Sequence, residues 1–320
     1  MGAVLSGFLV IWLIIGVGWI IGRFGVLGSD ARVVLSRVAF FVASPCLLFV
    51  TISDSSMSQV LGPQFLIAAI GALTTLGVYI LLGRLVLLKG RSGSDLMIGG
   101  MSGSLVNAAN LGFPIAAYVL GDIALAAPII MFQLAVYTPI YVTALDLLGR
   151  DQGGTSRVRP HPRTSTLRSL AQSAVNPMIL GALLGLIFSW QDWHFPGPVQ
   201  ESIEIVAGAS IPLMLLAFGL ALVGSHPLDK RADRRRDVLL ATALKLILHP
   251  LLAWLLAEVL FGLDGPEVLA AVVLAALPSA QNVLVAAVRY QAGEVIARDT
   301  VLLTTIAAIP VVVLVAVLLG

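Results

Sequence analysis

Two short polar strings interrupt otherwise apolar stretches of this chain. The first holds Asn107, Asn110, Gly112 and Pro114, and the second holds Pro278, Ser279, Gln281 and Asn282. Proline removes the hydrogen bond to the fourth residue before it and crowds that carbonyl, while glycine lowers the cost of unusual dihedrals. The spacing predicts one helix break at about 109–113 and another at Pro278, which frees the carbonyl near Leu274. Each break opens the N-terminus of the helix beyond it, where N–H groups and a partial positive charge favour an anion. Neither string contains Asp, Glu, Lys or Arg, and a cation site would want carboxylates there. The chemistry read here is the binding of a small organic anion by Asn107, Asn110, Ser279, Gln281 and Asn282. Gly112, Pro114 and Pro278 would hold the helices open, and no metal site is expected. Proline kinks with asparagine as interhelical glue would explain either string alone better than both together.

The elements that must position these strings are membrane spans. Hydrophobic residues make up 58% of the 320 and charged residues 11%, too apolar for a soluble domain to cover itself. Spans are expected at about 3–22, 33–53, 64–88, 96–120, 123–148, 168–190, 199–224, 238–261, 266–288 and 298–319. The nineteen Lys and Arg residues fall in or beside alternate gaps: Arg23 to Arg37, Arg84 to Arg91, Arg150 to Arg168, Lys230 to Lys245, and Arg289 with Arg298. The other gaps hold acids such as Asp54, Asp122, Asp192 and Asp264. Positive charge stays cytoplasmic, so the fold expected is an all-α membrane protein of ten spans with both termini outside. The basic gaps read as topology signals, with 230–236 able to touch anionic lipid, and not as nucleic-acid sites. Cys46 alone excludes an intrachain disulfide and a cysteine metal cluster.

The polar stretch 149–167 divides the chain into a first repeat at 1–150, a cytoplasmic linker at 151–167 and a second repeat at 168–320. Five spans per half invert the second half. Ala43-Ser44-Pro45-Cys46-Leu47-Leu48 in span 2 is echoed by Ala209-Ser210-Ile211-Pro212-Leu213-Met214 in span 7, Thr138-Pro139 in span 5 by Ile309-Pro310 in span 10, and span 4 by span 9. Matching breaks in inverted halves point to a transport site at mid-membrane. Ser44, Leu47 and Leu213 are further candidates for lining it. Gly99, Gly100 and Gly103 read as close helix packing. Lys245 and His249, four apart in span 8, are candidates for a proton or anion relay, although Lys245 is near enough to the cytoplasmic end to snorkel out.

At these residues the chain resembles the auxin efflux carrier family, which includes the plant PIN-FORMED carriers and bacterial dicarboxylate permeases. The resemblance rests on Asn107-Ala-Ala-Asn110-Leu-Gly112-Phe-Pro114 with Tyr118-Val-Leu-Gly121, and on Leu277-Pro278-Ser279-Ala-Gln281-Asn282 with Tyr290; Ser44-Pro45 and Ile309-Pro310 lie in similar surroundings. It implies that spans 1, 2, 6 and 7 form a scaffold and a dimer interface, while spans 3–5 and 8–10 form a moving transport domain in which spans 4 and 9 cross. The family's substrate-contacting asparagine and crossover prolines correspond to Asn110, Pro114 and Pro278, with Asn107 and Asn282 as neighbours. The implied protein is a carrier of an auxin-like acid or a dicarboxylate such as malate or malonate, working by an elevator-like motion in the bacterial inner membrane. It is not an enzyme and needs no cofactor, and its coupling to H⁺ or Na⁺ is left open. The alternatives are a sodium-coupled symporter of the bile-acid type, with similar crossed helices, and a membrane sensor that binds without transport.

Overall fold

The computed structural model describes residues 2–28, 30–55, 62–87, 90–150, 177–223 and 233–319. The linker at 151–167, the start of span 6, and Lys89, Lys230 and Arg231 lie outside them. Among the described residues the chain forms twelve helices and no strand. They are α1 Gly2–Arg23, α2 Ala31–Ser53, α3 Pro63–Leu85, α4 Gly93–Ser104, α5 Asn110–Leu120, α6 Ile123–Gly149, α7 Pro177–Gln191, α8 Gly197–Ala221, α9 Arg235–Leu260, α10 Gly265–Ala275, α11 Asn282–Tyr290 and α12 Glu294–Leu319. Six of these, α2, α3, α6, α8, α9 and α12, are long and apolar enough to cross a membrane. Span 4 is divided into α4 and α5, and span 9 into α10 and α11.

Helix starts follow local chemistry. Pro63, Pro198 and Pro266 sit in the first turns of α3, α8 and α10, where a missing N–H costs nothing. The Ser92 hydroxyl caps α4 by accepting from the Asp95 N–H at 3.0 Å. Gly121, at φ 79°, ends α5 in the left-handed conformation.

Interior prolines do not break these helices, because a π-helical turn precedes each of four of them. The turns are Ala39–Ala43, Ala108–Gly112, Phe132–Tyr137 and Leu244–Leu248. Each ends two residues before a proline: Pro45, Pro114, Pro139 and Pro250. Widening the turn takes the preceding carbonyls out of the ring's way and spares the donor that proline lacks. This overturns the break expected at 109–113. The interruption falls at 105–107 instead, and α5 runs through Pro114. Gly112 has ordinary helical dihedrals (φ −62°, ψ −52°). Its lack of a side chain serves packing, since a Cβ there would stand 3.3 Å from Ala108 Cβ and 3.8 Å from Ala126 Cβ.

Packing divides the helices into two groups. One is α1, α2, α7 and α8, in which α1 lies on α8, and α2 lies on both α7 and α8. The other is built around α4, which is buried in ten of its twelve residues and is enclosed by α3, α6, α9, α11 and α12. Gly99 and Gly103 bring α4 against Tyr79 of α3 and Ala241 of α9. The half-helix α5 meets both groups, touching α1 and α8 on one side and α10 on the other. The outer faces stay apolar, as at Phe41, Ile205, Val259 and Ile306, which suits a lipid boundary.

Charge gathers at one end. Arg91 donates to both carboxylate oxygens of the fully buried Asp237, at 3.2 and 3.0 Å. Arg234 pairs with Asp95 at 3.0 Å, and Asp95 also accepts from the Gly293 N–H. Three of the basic gaps therefore meet, and they tie α4, α9 and the α11–α12 turn together.

The helices of the first group approach one another backbone to backbone, and at Gly181 of α7 a Cβ would collide with the Pro45 carbonyl of α2. Gly181→Ala is expected to lower stability by about 1–3 kcal/mol, measured as thermal unfolding in detergent. Gly77→Ala on α3, with open space around the new Cβ, should leave it unchanged or slightly raised.

Candidate functional site

Two helices that stop inside an apolar molecule leave carbonyl and N–H groups that water cannot reach, at a cost of several kcal/mol each. Here the two interruptions supply each other. The Asn107 N–H donates to the Pro278 carbonyl at 2.8 Å, and the Ala280 N–H donates to the Leu105 carbonyl at 3.0 Å. Val106 and Ser279 face one another between these bonds as an isolated antiparallel bridge. Pro278 fits because its carbonyl, and not its missing N–H, is the group required. The Leu274 carbonyl expected to be freed is taken by the Leu277 N–H at 3.4 Å.

Side chains complete the clasp. The Ser279 N–H donates to Thr304 Oγ1 at 3.0 Å, and that hydroxyl donates to the Thr300 carbonyl at 2.7 Å. The Ser279 hydroxyl donates to the Ser102 carbonyl. With its one O–H committed there, Ser279 holds the bridge and has no further donor for an anion.

Asn107 and Asn110 do come together. Asn110 Nδ2 donates to Asn107 Oδ1 at 2.9 Å. Asn107 is 1% exposed, yet its own Nδ2 has no partner. A buried amide N–H₂ without an acceptor costs about 1–3 kcal/mol, and a bound carboxylate oxygen would remove that cost. Gln281 stands half-buried at the start of α11, and its Oε1 accepts from Arg32 Nη2 of α2 at 3.3 Å. Asn282, one residue on, is exposed.

The remaining candidates are dispersed. Ser44 meets Ser210 of α8, Oγ to Oγ 2.9 Å, in a buried contact between the two echoed segments. Leu47 is buried in the core and Leu213 is partly buried. Lys245 does not reach the surface as its position suggested. It is fully buried and donates to the Ala275 carbonyl at 2.7 Å, with His249 Nδ1 2.9 Å away. Among the described residues no three His, Cys, Asp or Glu side chains are grouped to hold a metal.

Sequence reasoning missed Arg32 and Thr304. Arg32 was absorbed into the charge pattern, and only the folded chain brings it to Gln281. Thr304 did leave a signal: with Thr300 it forms a polar pair one turn apart in an otherwise apolar span.

The chain is similar to known membrane transporters. A family model described as "Membrane transport protein" matches residues 3–316. A relative from Rhizobium meliloti (strain 1021), named "Putative malonate transporter", is 26% identical over 309 residues, covering 96% of this chain and 92% of its own. An uncharacterized transporter from Methanocaldococcus jannaschii is also 26% identical, covering 93% of this chain and 92% of its own.

Removing the Thr304 hydroxyl strands the buried Ser279 N–H. Thr304→Val is expected to lower stability by about 1–3 kcal/mol, read from thermal unfolding, and Thr304→Ser should restore most of it.

Proposed function

Because the chain belongs to the membrane transport protein family, that of the auxin efflux carriers, we propose that it is a secondary carrier of a small organic carboxylate, with dicarboxylates of the malonate class as its substrates. The observation that carries this reading is the unpartnered Nδ2 of Asn107, buried where the two broken helices cross. A carboxylate there accepts from Asn107 and lies beside Asn110, facing the positive ends of α5 and α11. Arg32 adds a guanidinium from the other packing group, bonded to Gln281 at the edge of the crossing. A guanidinium can take a second carboxylate bidentately, which favours a dicarboxylate over a monocarboxylate. The name carried by the Rhizobium relative is consistent with that class.

In this reading the ten spans form two inverted repeats with both termini outside, in the bacterial inner membrane. Two contacts join echoed segments to each other: Ser44 with Ser210, and Val106 with Ser279. Such pairing is expected along a pseudo-twofold axis. Helices α1, α2, α7 and α8 serve as the scaffold and the homodimer surface. The group around α4 moves against them, carrying the crossing from one side of the membrane to the other. The boundary between the groups passes α5, Gln281 and Arg32, so the motion changes which side reaches the anion.

Proteoliposomes on a solid-supported membrane, challenged with malonate, malate, succinate, lactate and indole-3-acetate, test this. Malonate or malate is expected to give a current, which Asn110→Ala abolishes. Arg32→Gln is expected to weaken the apparent affinity for dicarboxylates about 10- to 100-fold, the loss of one charged hydrogen bond, and to affect lactate little. An acid that binds and raises the melting temperature but never crosses, in a radiolabelled flux assay, would favour the sensor reading.

A further inference from the structure

Lys245 and His249 lie outside the anion site just described, one turn apart on α9. Both are buried, Lys245 completely. Lys245 Nζ has two partners, the Ala275 carbonyl at 2.7 Å and His249 Nδ1 at 2.9 Å. Among the described residues it has no carboxylate partner. A permanent ammonium in such a place is strongly disfavoured by desolvation. A lysine against an imidazole has another option, which is to share one proton.

We propose that Lys245 and His249 form a single-proton site that ties anion movement to proton movement. The geometry serves both states. In the neutral pair, His249 Nδ1–H donates to the lone pair of Nζ, and the amine donates to Ala275. A proton arriving at His249 Nε2 drives the Nδ1 proton onto Nζ. The ammonium then donates to Ala275 and to the bare Nδ1, and the imidazole carries its hydrogen on Nε2. One proton enters, one crosses the 2.9 Å contact, and no polar atom loses its partner.

A small cavity lies beside the imidazole. His249 Nε2 faces Gly71 of α3, where a Cβ would stand 3.5 Å away. A cavity of about 20 Å³ touches His249 and is also lined by Gln64, Ile67, Pro128, Leu274 and Ala275. That is room for one water. Gln64 in turn donates to the Glu267 carbonyl in the first turn of α10, the end of the molecule away from the arginine pairs.

The link to the anion site is short. Ala275 is the last residue of α10, three before Pro278, whose carbonyl holds the Asn107 N–H. An ammonium at this carbonyl end matches the negative pole of α10, so gaining or losing it bears on the segment that carries the crossing. The charged groups on neighbouring elements are otherwise engaged or distant in contact terms. Asp237 at the start of α9 is held by Arg91, Asp95 of α4 by Arg234, and Asp299 of α12 by Arg298. Tyr79 of α3 donates to the Asp237 carbonyl. Arg235, Arg236 and Glu258 of α9, Glu267 of α10 and Glu294 of α12 make no bond to either residue of the pair.

The proposal rests on the anion-carrier reading, and the test separates the two. Radiolabelled malonate counterflow, with no ion gradient, reads carriage alone; accumulation under a pH gradient reads the proton site. Wild-type protein should show counterflow and, with one pH unit acid outside, up to about tenfold accumulation. An equal sodium gradient should give none. Lys245→Met and His249→Gln should keep counterflow and lose the accumulation. Wild-type accumulation indifferent to pH, or variants that concentrate malonate like the wild type, would overturn the proton site and leave the carrier standing. Absent wild-type counterflow would overturn the carrier and the coupling together. If Lys245→Met protein is not monodisperse, His249→Gln decides, since it leaves the lysine on Ala275.

Discussion

Inside a membrane every backbone N–H and carbonyl must find a partner within the protein. Two helices here are interrupted at depth, and the structure turns on how that demand is met. The answer is a reciprocal pair of bonds, Asn107 to Pro278 and Ala280 to Leu105. Neither interruption would be tolerable alone. Each supplies the other with a partner, which couples α4 and α5 to α10 and α11 as one unit. Thr304, Ser279 and Ser102 then tie that unit to α12 and into the body of α4.

The same demand explains the prolines. A π-helical turn ahead of Pro45, Pro114, Pro139 and Pro250 lets each long helix continue. Helices that bend without breaking keep the two packing groups intact, so real interruptions are confined to the crossing. What the crossing then offers is spare donor capacity. The Asn107 amide has an unused N–H₂ in a dry place, and two helix N-termini open beside it.

Much of this was legible in the chain. The apolar stretches and the interruption beside Pro278 follow from local chemistry, and among the described residues helices form over those stretches. Asn107 and Asn110, three apart, do meet, although Asn107 stands at the end of the interruption and not within a helix. The position of the first interruption was not legible. Pro114 pointed to 109–113, but the break follows a tertiary partner, the segment 278–280, which no local rule reveals. Lys245 was misjudged for a similar reason. Its distance from the helix end allowed snorkelling, whereas the carbonyl end of α10, 30 residues away in sequence, holds it inside. Arg32 was hidden among eighteen other basic residues read together as one charge pattern.

The central claim is that the crossing binds a carboxylate through Asn107. The most direct measurement is a structure of the protein with bromomalonate, its bromine located by anomalous scattering and its carboxylates by density. The account predicts a carboxylate oxygen about 2.7–3.2 Å from Asn107 Nδ2, with the second carboxylate toward Arg32. A bound anion away from the crossing, with Asn107 Nδ2 still unpartnered, would contradict it.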